Sequence, residues 1–378
     1  DDEELRHKYE EKLLKFKYEL LKVCPDKQAM HQDIKNQMED MILINTKSLF
    51  CWNLYFDWCD AKTINDLDEN KVISYLQIFQ NEGLGLILFA YVMSDISPFS
   101  KEKIVKSLSA YDINKRKPDS SQLNPEDDKD AELLEELADD ATLEDETSSS
   151  QYYLPQDEVL GLILEGYSKT KNSVLASRII VNYYIHLREY NLASEKCRDG
   201  IKTLADIQRT FGIDLTNTKE DFLCSLAIVY TYYEAPKNYN RAIQLYEKIL
   251  ESNPDNVKAQ VGKGLIYVER GELEEARTIL GAVVKKYPTN IEAESEYYWC
   301  LVKLGEYSQG RKGLEGFLSK ITGGDLHSRE TRAVARWRIA KSYFLENADD
   351  NDNVKECYNN LIKSLKDSDL YAPSYTLL

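Results

Sequence analysis

Apolar residues along most of the 378-residue chain recur every three to four positions, the spacing of amphipathic helices. Leu5, Tyr9, Leu13, Phe16 and Leu20 set the first such series, and Pro25 ends it. A second runs through Ile34, Met38 and Met41. The third, 49–58, is dense in aromatics, with Trp52, Tyr55 and Trp58 three apart, and reads as a core helix whose rings pack on its neighbours. Further helices are expected near 69–80, 83–94 and 100–111. Only 16 Gly and 9 Pro are present, too few for an all-β chain with many tight turns.

The pattern breaks at 115–150. Lys115-Arg116-Lys117-Pro118 leads into a tract from Asp119 to Glu146 with thirteen acids and one Lys, a net of −12 out of −17 for the whole chain. Such a segment buries too little apolar surface to offset its ordering entropy, so a disordered or partly helical insertion is expected. Leu133, Leu134 and Leu137 are spaced for one short amphipathic helix within it. Its charge suits either plain solvation or an acidic arm for a basic partner.

From 151 the helical pattern returns with a longer period. Ala242 and Ala276 lie thirty-four residues apart, as do Pro254 and Pro288. Between them stand Tyr246, Gly264, Tyr267, Gly271 and Leu280. Small residues let helices approach, aromatic and leucine side chains fill the seam, and proline stops the second helix. Gly305, Tyr307 and Leu314 repeat the same period, although Gly310, Gly313 and Gly316 weaken that unit's second helix. Tyr184 and Ala193 mark an earlier unit, whose second helix overruns through Cys197, Ile201, Leu204 and Ile207 to Phe211-Gly212. Ala227 and Tyr230 open another, with a longer turn at 234–238, and Ala340 with Tyr343 marks the last. A thirty-four-residue two-helix period is of the tetratricopeptide type. The expected fold is therefore all-α, a tetratricopeptide-type α-solenoid or superhelix of helical hairpins. The expected organisation is irregular helical repeats over 1–114, the acidic insertion over 115–150, and the repeat array over 151–378. Trp52-x2-Tyr55-x2-Trp58 also resembles the first helix of half-a-TPR repeats, which are frequent in RNA-processing scaffolds.

Composition narrows the function. A net charge of −17 argues against a surface that binds nucleic acid throughout. Seven cysteines without a C-x-x-C pair read as reduced thiols of a cytosolic or nuclear protein. The longest apolar run, Leu84 to Met93, is about half a membrane span, so no membrane association is expected. The four histidines, His7, His31, His186 and His327, form no metal-ligand spacing. Gly262-Lys263-Gly264 lacks the first glycine of a phosphate loop and sits within a repeat helix. The chain reads as a non-enzyme without cofactor or small-molecule substrate. Its start at Asp1 and its end at Ala372-Pro373-Ser374-Tyr375, which looks like the opening of another repeat, suggest a piece of a longer protein.

Two sets of residues are candidate partner contacts. Arg178 and Asn182 are four apart on a first helix, and Lys258 occupies an inner-face position two units later. This resembles part of the carboxylate clamp of tetratricopeptide co-chaperones, with Ser225 and Gly262 departing from it. The second set is Arg329, Arg332, Arg336, Arg338 and Lys341, a local +4 in an acidic chain, with Arg329, Arg332 and Arg336 on one helical stripe. The stripe suits RNA phosphates, an acidic partner, or a solvated or internally paired face.

The order of features resembles the tetratricopeptide scaffold subunits of fungal superkiller complexes, over essentially the whole chain. The residues that carry the resemblance are Leu226-Ala227-Ile228-Val229-Tyr230-Thr231-Tyr232-Tyr233-Glu234-Ala235-Pro236-Lys237, then Ala242-x2-Leu245-Tyr246-x2-Ile249-Leu250. The segments Ala259-Gln260-Val261-Gly262-Lys263-Gly264 and Trp337-Arg338-x-Ala340-Lys341, the helix around Met38-Glu39-Asp40-Met41, and the acidic tract add to it. The resemblance implies a non-catalytic N-terminal arm of a cytoplasmic scaffold, a nuclear pool left open. Its partners would be an RNA helicase subunit, a WD-repeat subunit and an exosome-bridging factor, with any RNA contact indirect. The assembly would feed messenger RNA to the exosome for 3′-to-5′ decay, including viral RNA in antiviral defence. The alternatives from the residues are a co-chaperone-type peptide receptor and a half-a-TPR scaffold in nuclear RNA processing.

Overall fold

The computed structural model describes residues 1–108, 154–170 and 172–378. The acidic tract at 119–146, with the helix expected around Leu133, Leu134 and Leu137, lies outside the described residues. Among the described residues every regular element is helical, eighteen α-helices and one 3-10 turn, Ile64–Asp66. They fall into two compact units, Asp1–Ser225 and Leu226–Leu378. The composition break at 115–150 is thus not where packing divides, since residues on both sides of it share the first unit.

The first unit begins with α1 (Asp2–Leu21), α2 (Lys27–Leu43) and α3 (Leu49–Trp58). Polar residues start them: Asp26 accepts from Ala29 N and Ser48 from Cys51 N, relieving backbone donors that have no partner inside the helix. The apolar series at Leu5, Tyr9, Phe16 and Leu20 is not what α1 buries; its buried residues are Leu14 and Leu21. The aromatic helix is a core helix as expected. Trp52 stacks on Phe56 at 5.9 Å between ring centroids, Tyr75 completes the group, and Trp52 Nε1 donates to Thr46 O at 2.7 Å.

Next come α4 (Glu69–Phe79), α5 (Gly83–Val92) and α6 (Lys101–Ser107). α5, the apolar run of the sequence, is buried nearly all round, which suits a central helix rather than an amphipathic one. Beyond the undescribed stretch, α7 (Gln156–Lys169) packs on α5, and α8 (Val174–His186) packs on α3, α5 and α9 (Tyr190–Phe211). The overrun anticipated after Ala193 is one continuous 22-residue helix, stopped by Gly212 in the left-handed conformation at φ 66°. Its length has a purpose in packing. Phe211, at its last turn, reaches the rings of Tyr18 (4.6 Å) and Trp58 (5.9 Å) in the N-terminal helices.

The second unit is a run of hairpins. Helix α10 (Thr216–Tyr232) supplies its first residues, followed by α11 (Tyr239–Ser252), α12 (Val257–Arg270), α13 (Leu273–Lys286), α14 (Ile291–Lys303), α15 (Tyr307–Leu318), α16 (Leu326–Glu346), α17 (Asn351–Asp367) and α18 (Ala372–Leu377). From α11 to α18 each helix packs on the next. The repeat positions form the seam: Ala242, Ala276, Leu280 and Ala340 are fully buried and Tyr246 nearly so. A Cβ on Gly264 would lie 2.6 Å from Leu280 Cγ, so the two helices approach only because no side chain intervenes. Gly271 closes α12 at φ 76°, where an L side chain is strained. The glycines expected to weaken α15 have a packing reason, because a Cβ on Gly313 would stand 2.1 Å from the Tyr298 ring.

Candidate functional site

Arg178, the first residue of the supposed clamp, sits on α8 with 3% of its surface exposed. Its Nε donates to Asp221 Oδ2 at 3.0 Å, one terminal nitrogen to Thr218 Oγ1 at 3.3 Å, and the other to Ala61 O at 2.7 Å. The guanidinium is thereby spent on internal partners. Asn182 donates to Arg178 O at 2.7 Å, back along its own helix. Lys258 is exposed on α12, in the second unit, and the structure brings it into no site with the other two. At Gly262 a Cβ would fall 2.3 Å from Tyr246 Cζ, so the packing leaves no room for the basic residue a clamp would place there.

The same region holds a network that the sequence reading missed. Asp57 accepts from Ser173 Oγ at 3.2 Å and Leu175 N at 3.3 Å, capping α8. Asp60 accepts from Thr218 N at 2.8 Å, Thr218 Oγ1 at 2.7 Å and Asn217 N at 3.2 Å, capping α10. Burial pushes the Asp57 carboxyl up to about 7, against the pull of hydrogen bonds from Leu175, Ser173 and Val174. An Asp or Ser before an apolar run is a local signal, but a cap supplied from more than a hundred residues away leaves none.

The basic stretch lies on α16. Asp325 caps this helix, accepting from Ser328 N at 3.0 Å and Ser328 Oγ at 2.7 Å. Burial pushes that carboxyl up, but the Ser328 hydrogen bonds outweigh it and hold it below its ordinary value. Arg329 Nε donates to Asp367 O and Arg332 Nε to Asp367 Oδ1, both at 3.1 Å, at the C-terminus of α17. A cation there also meets the negative end of the helix dipole. Arg332 further donates to Ile321 O at 3.1 Å and Gly323 O at 2.6 Å. Arg338 donates to Ser295 Oγ at 3.1 Å and Glu296 Oε1 at 2.9 Å, and lies over the Trp299 ring. Most of the +4 patch therefore ties helices together.

What remains outward is a different set. Trp299 and Trp337 meet at 5.5 Å, and Lys341 Nζ lies 5.2 Å from the centre of the Phe344 ring. Trp337, Lys341 and Phe344, with Ala372, Pro373, Thr376 and Leu377, line an open, mainly apolar cleft of about 600 Å³. Trp337 Nε1 and Arg336 Nε are buried without a hydrogen-bond partner, so both can accept a polar atom from outside. Among the described residues no group of His, Cys, Asp or Glu is arranged to hold a metal, and no helix is long and apolar enough to cross a membrane. All seven cysteines are free, with burial pushing the Cys51 thiol up to about 12.

Stacked hairpins with small residues at the seam, and surfaces in place of a reactive centre, define a tetratricopeptide-repeat protein, and residues 235–295 match the tetratricopeptide repeat family model. Over its whole length the chain is a superkiller protein 3-like sequence. It is 32% identical to superkiller protein 3 of Saccharomyces cerevisiae over 409 aligned residues, covering 100% of this chain and 28% of that protein. It is 27% identical to superkiller protein 3 of Schizosaccharomyces pombe over 385, covering 100% and 26%. The chain thus spans about a quarter of the length of these relatives. Among solved structures, PilW, a type IV pilus biogenesis factor, superposes with a TM-score of 0.40 at 13% identity, over 59% of this chain and 90% of its own, a likeness too slight to argue from.

Proposed function

We propose that this chain is a scaffold arm of a superkiller-type assembly, in which a helicase delivers messenger RNA to the cytoplasmic exosome for 3′-to-5′ decay. The observation that supports the reading most is similarity to superkiller protein 3 along every part of the chain, irregular N-terminal helices included, not only along the repeats. Its work is protein–protein interaction, with a helicase subunit, a WD-repeat subunit and an exosome-bridging factor as partners. The Trp337–Lys341–Phe344 cleft and Arg336 are the residues we assign to partner contact on the second unit. Arg329, Arg332 and Arg338 support that face from behind, because their donors are engaged within it.

Affinity purification of the parent protein from cells tests the reading. Recovery of a helicase together with exosome subunits is the expected result. Recovery of chaperones would favour the peptide-receptor alternative, and recovery of splicing or cleavage factors the nuclear one; either overturns the proposal. Reversing Arg336 and Lys341 to Glu is expected to reduce helicase recovery while leaving the helical spectrum unchanged.

A further inference from the structure

α1 has two apolar faces. One buries Leu14 and Leu21 on the first unit. The other carries Leu5, Tyr9, Leu13, Phe16, Leu20 and Val23; at 100° per residue these fall within an arc of about 80°, turned away from Leu14 and Leu21. Leu5, Tyr9, Phe16 and Val23 each expose between 64% and 77% of their surface, and Leu20 is exposed as well. A continuous apolar stripe on an otherwise charged helix marks an interaction site rather than scattered surface hydrophobes.

The stripe has coiled-coil order. Tyr9, Phe16 and Val23 are seven apart, Leu13 and Leu20 are seven apart, and the two sets alternate by four and three, which is a d and a seam. Lys12 and Glu19 are the g positions along one edge, and Lys17 is an e position along the other. This charge order reads the same from either end. In an antiparallel pair of α1 helices, Leu13 meets the partner's Phe16 and Tyr9 meets the partner's Leu20. Lys12 then lies beside the partner's Glu19, and Glu19 beside the partner's Lys12. A parallel pair would instead set Lys12 against the partner's Lys17, like against like.

We propose that α1 is a self-association surface, joining two copies of this chain through an antiparallel, two-fold helix pair along the Tyr9–Leu13–Phe16–Leu20–Val23 seam. This goes beyond the scaffold reading, since nothing in that reading requires two arms to meet. An interface confined to one helix from each copy is small, so the association belongs to the weak, concentration-dependent class.

Analytical ultracentrifugation of the 378-residue chain over a range of concentrations tests it. The expected result is a monomer–dimer equilibrium that Phe16→Glu weakens by a factor of about 30 or more, as loss of a central anchor does. Phe16 is exposed in the single copy, so the variant keeps its fold, checked by circular dichroism. Lys12→Glu and Glu19→Lys, each alone, weaken dimerisation about fivefold, and the double reversal restores it. A chain that stays monomeric up to about 200 µM overturns the proposal, the range in which weak single-helix pairs associate. So does a dimer indifferent to Phe16→Glu, or one that the double reversal fails to restore.

Discussion

The two units solve the same packing problem by different means. In the second, each hairpin leans on its immediate neighbours, and small and large residues at fixed offsets make the seam: Gly264 against Leu280, Gly313 against Tyr298. In the first, aromatic rings and distant caps do the work. Phe211 closes on Tyr18 and Trp58, and Asp57 and Asp60 hold the starts of helices that follow more than a hundred residues later. Repetition needs only local contacts; an irregular array needs specific long-range ones.

The difference is sharpest at Arg178. Removing it by Arg178→Ala leaves Asp221 buried without its ion-pair partner, and should cost about 3–5 kcal/mol in chemical denaturation. Hydrogen exchange should rise in Val174–His186 and around Thr218–Asp221. Protection confined to its wild-type level there would mean that the network is dispensable. In the repeats, Leu280→Ala should cost about 3 kcal/mol, the range for a fully buried leucine, with faster exchange limited to α12 to α14. Exchange spreading evenly through 226–378 would contradict nearest-neighbour packing.

A smaller effect is expected at Asp57, and it depends on pH. Its carboxyl is pushed up to about 7 in the folded chain, so the folded state holds a proton that the unfolded state releases near pH 4. Stability from this group is present below about pH 4 and is lost as pH rises through about 7. Asp57→Asn keeps an acceptor for Ser173 and removes the titration. Its unfolding midpoint should gain on the wild type by about 2 kcal/mol between pH 5 and pH 8. An equal gap at both values would show that Asp57 ionises freely.

The contrast also explains what could be read from the sequence. The seam at Ala242, Tyr246, Gly264, Ala276 and Leu280 was legible because a repeat writes its contacts at a fixed interval. The overrun to Phe211 was legible as a helix, but its destination among the N-terminal rings was not. Arg178 looked available because its partners, Ala61 and Asp221, are remote in sequence. The α16 arginines were misleading for a related reason. A run of positive charge resembles a docking patch until the helix end it clips, at Asp367, is in view. The Trp337 cleft went unassigned because only the fold sets Ala372 and Leu377 beside it.

The anchoring by Asp57 and Asp60 bears on the stretch from 109 to 153, whose flanks Leu108 and Leu154 both belong to the first unit. A tether with both ends fastened to one body costs only about 0.6 kcal/mol for each doubling of its length. Related chains are therefore free to lengthen, shorten or recharge this stretch with little thermodynamic penalty. The few residues that fasten its two sides together have no such latitude.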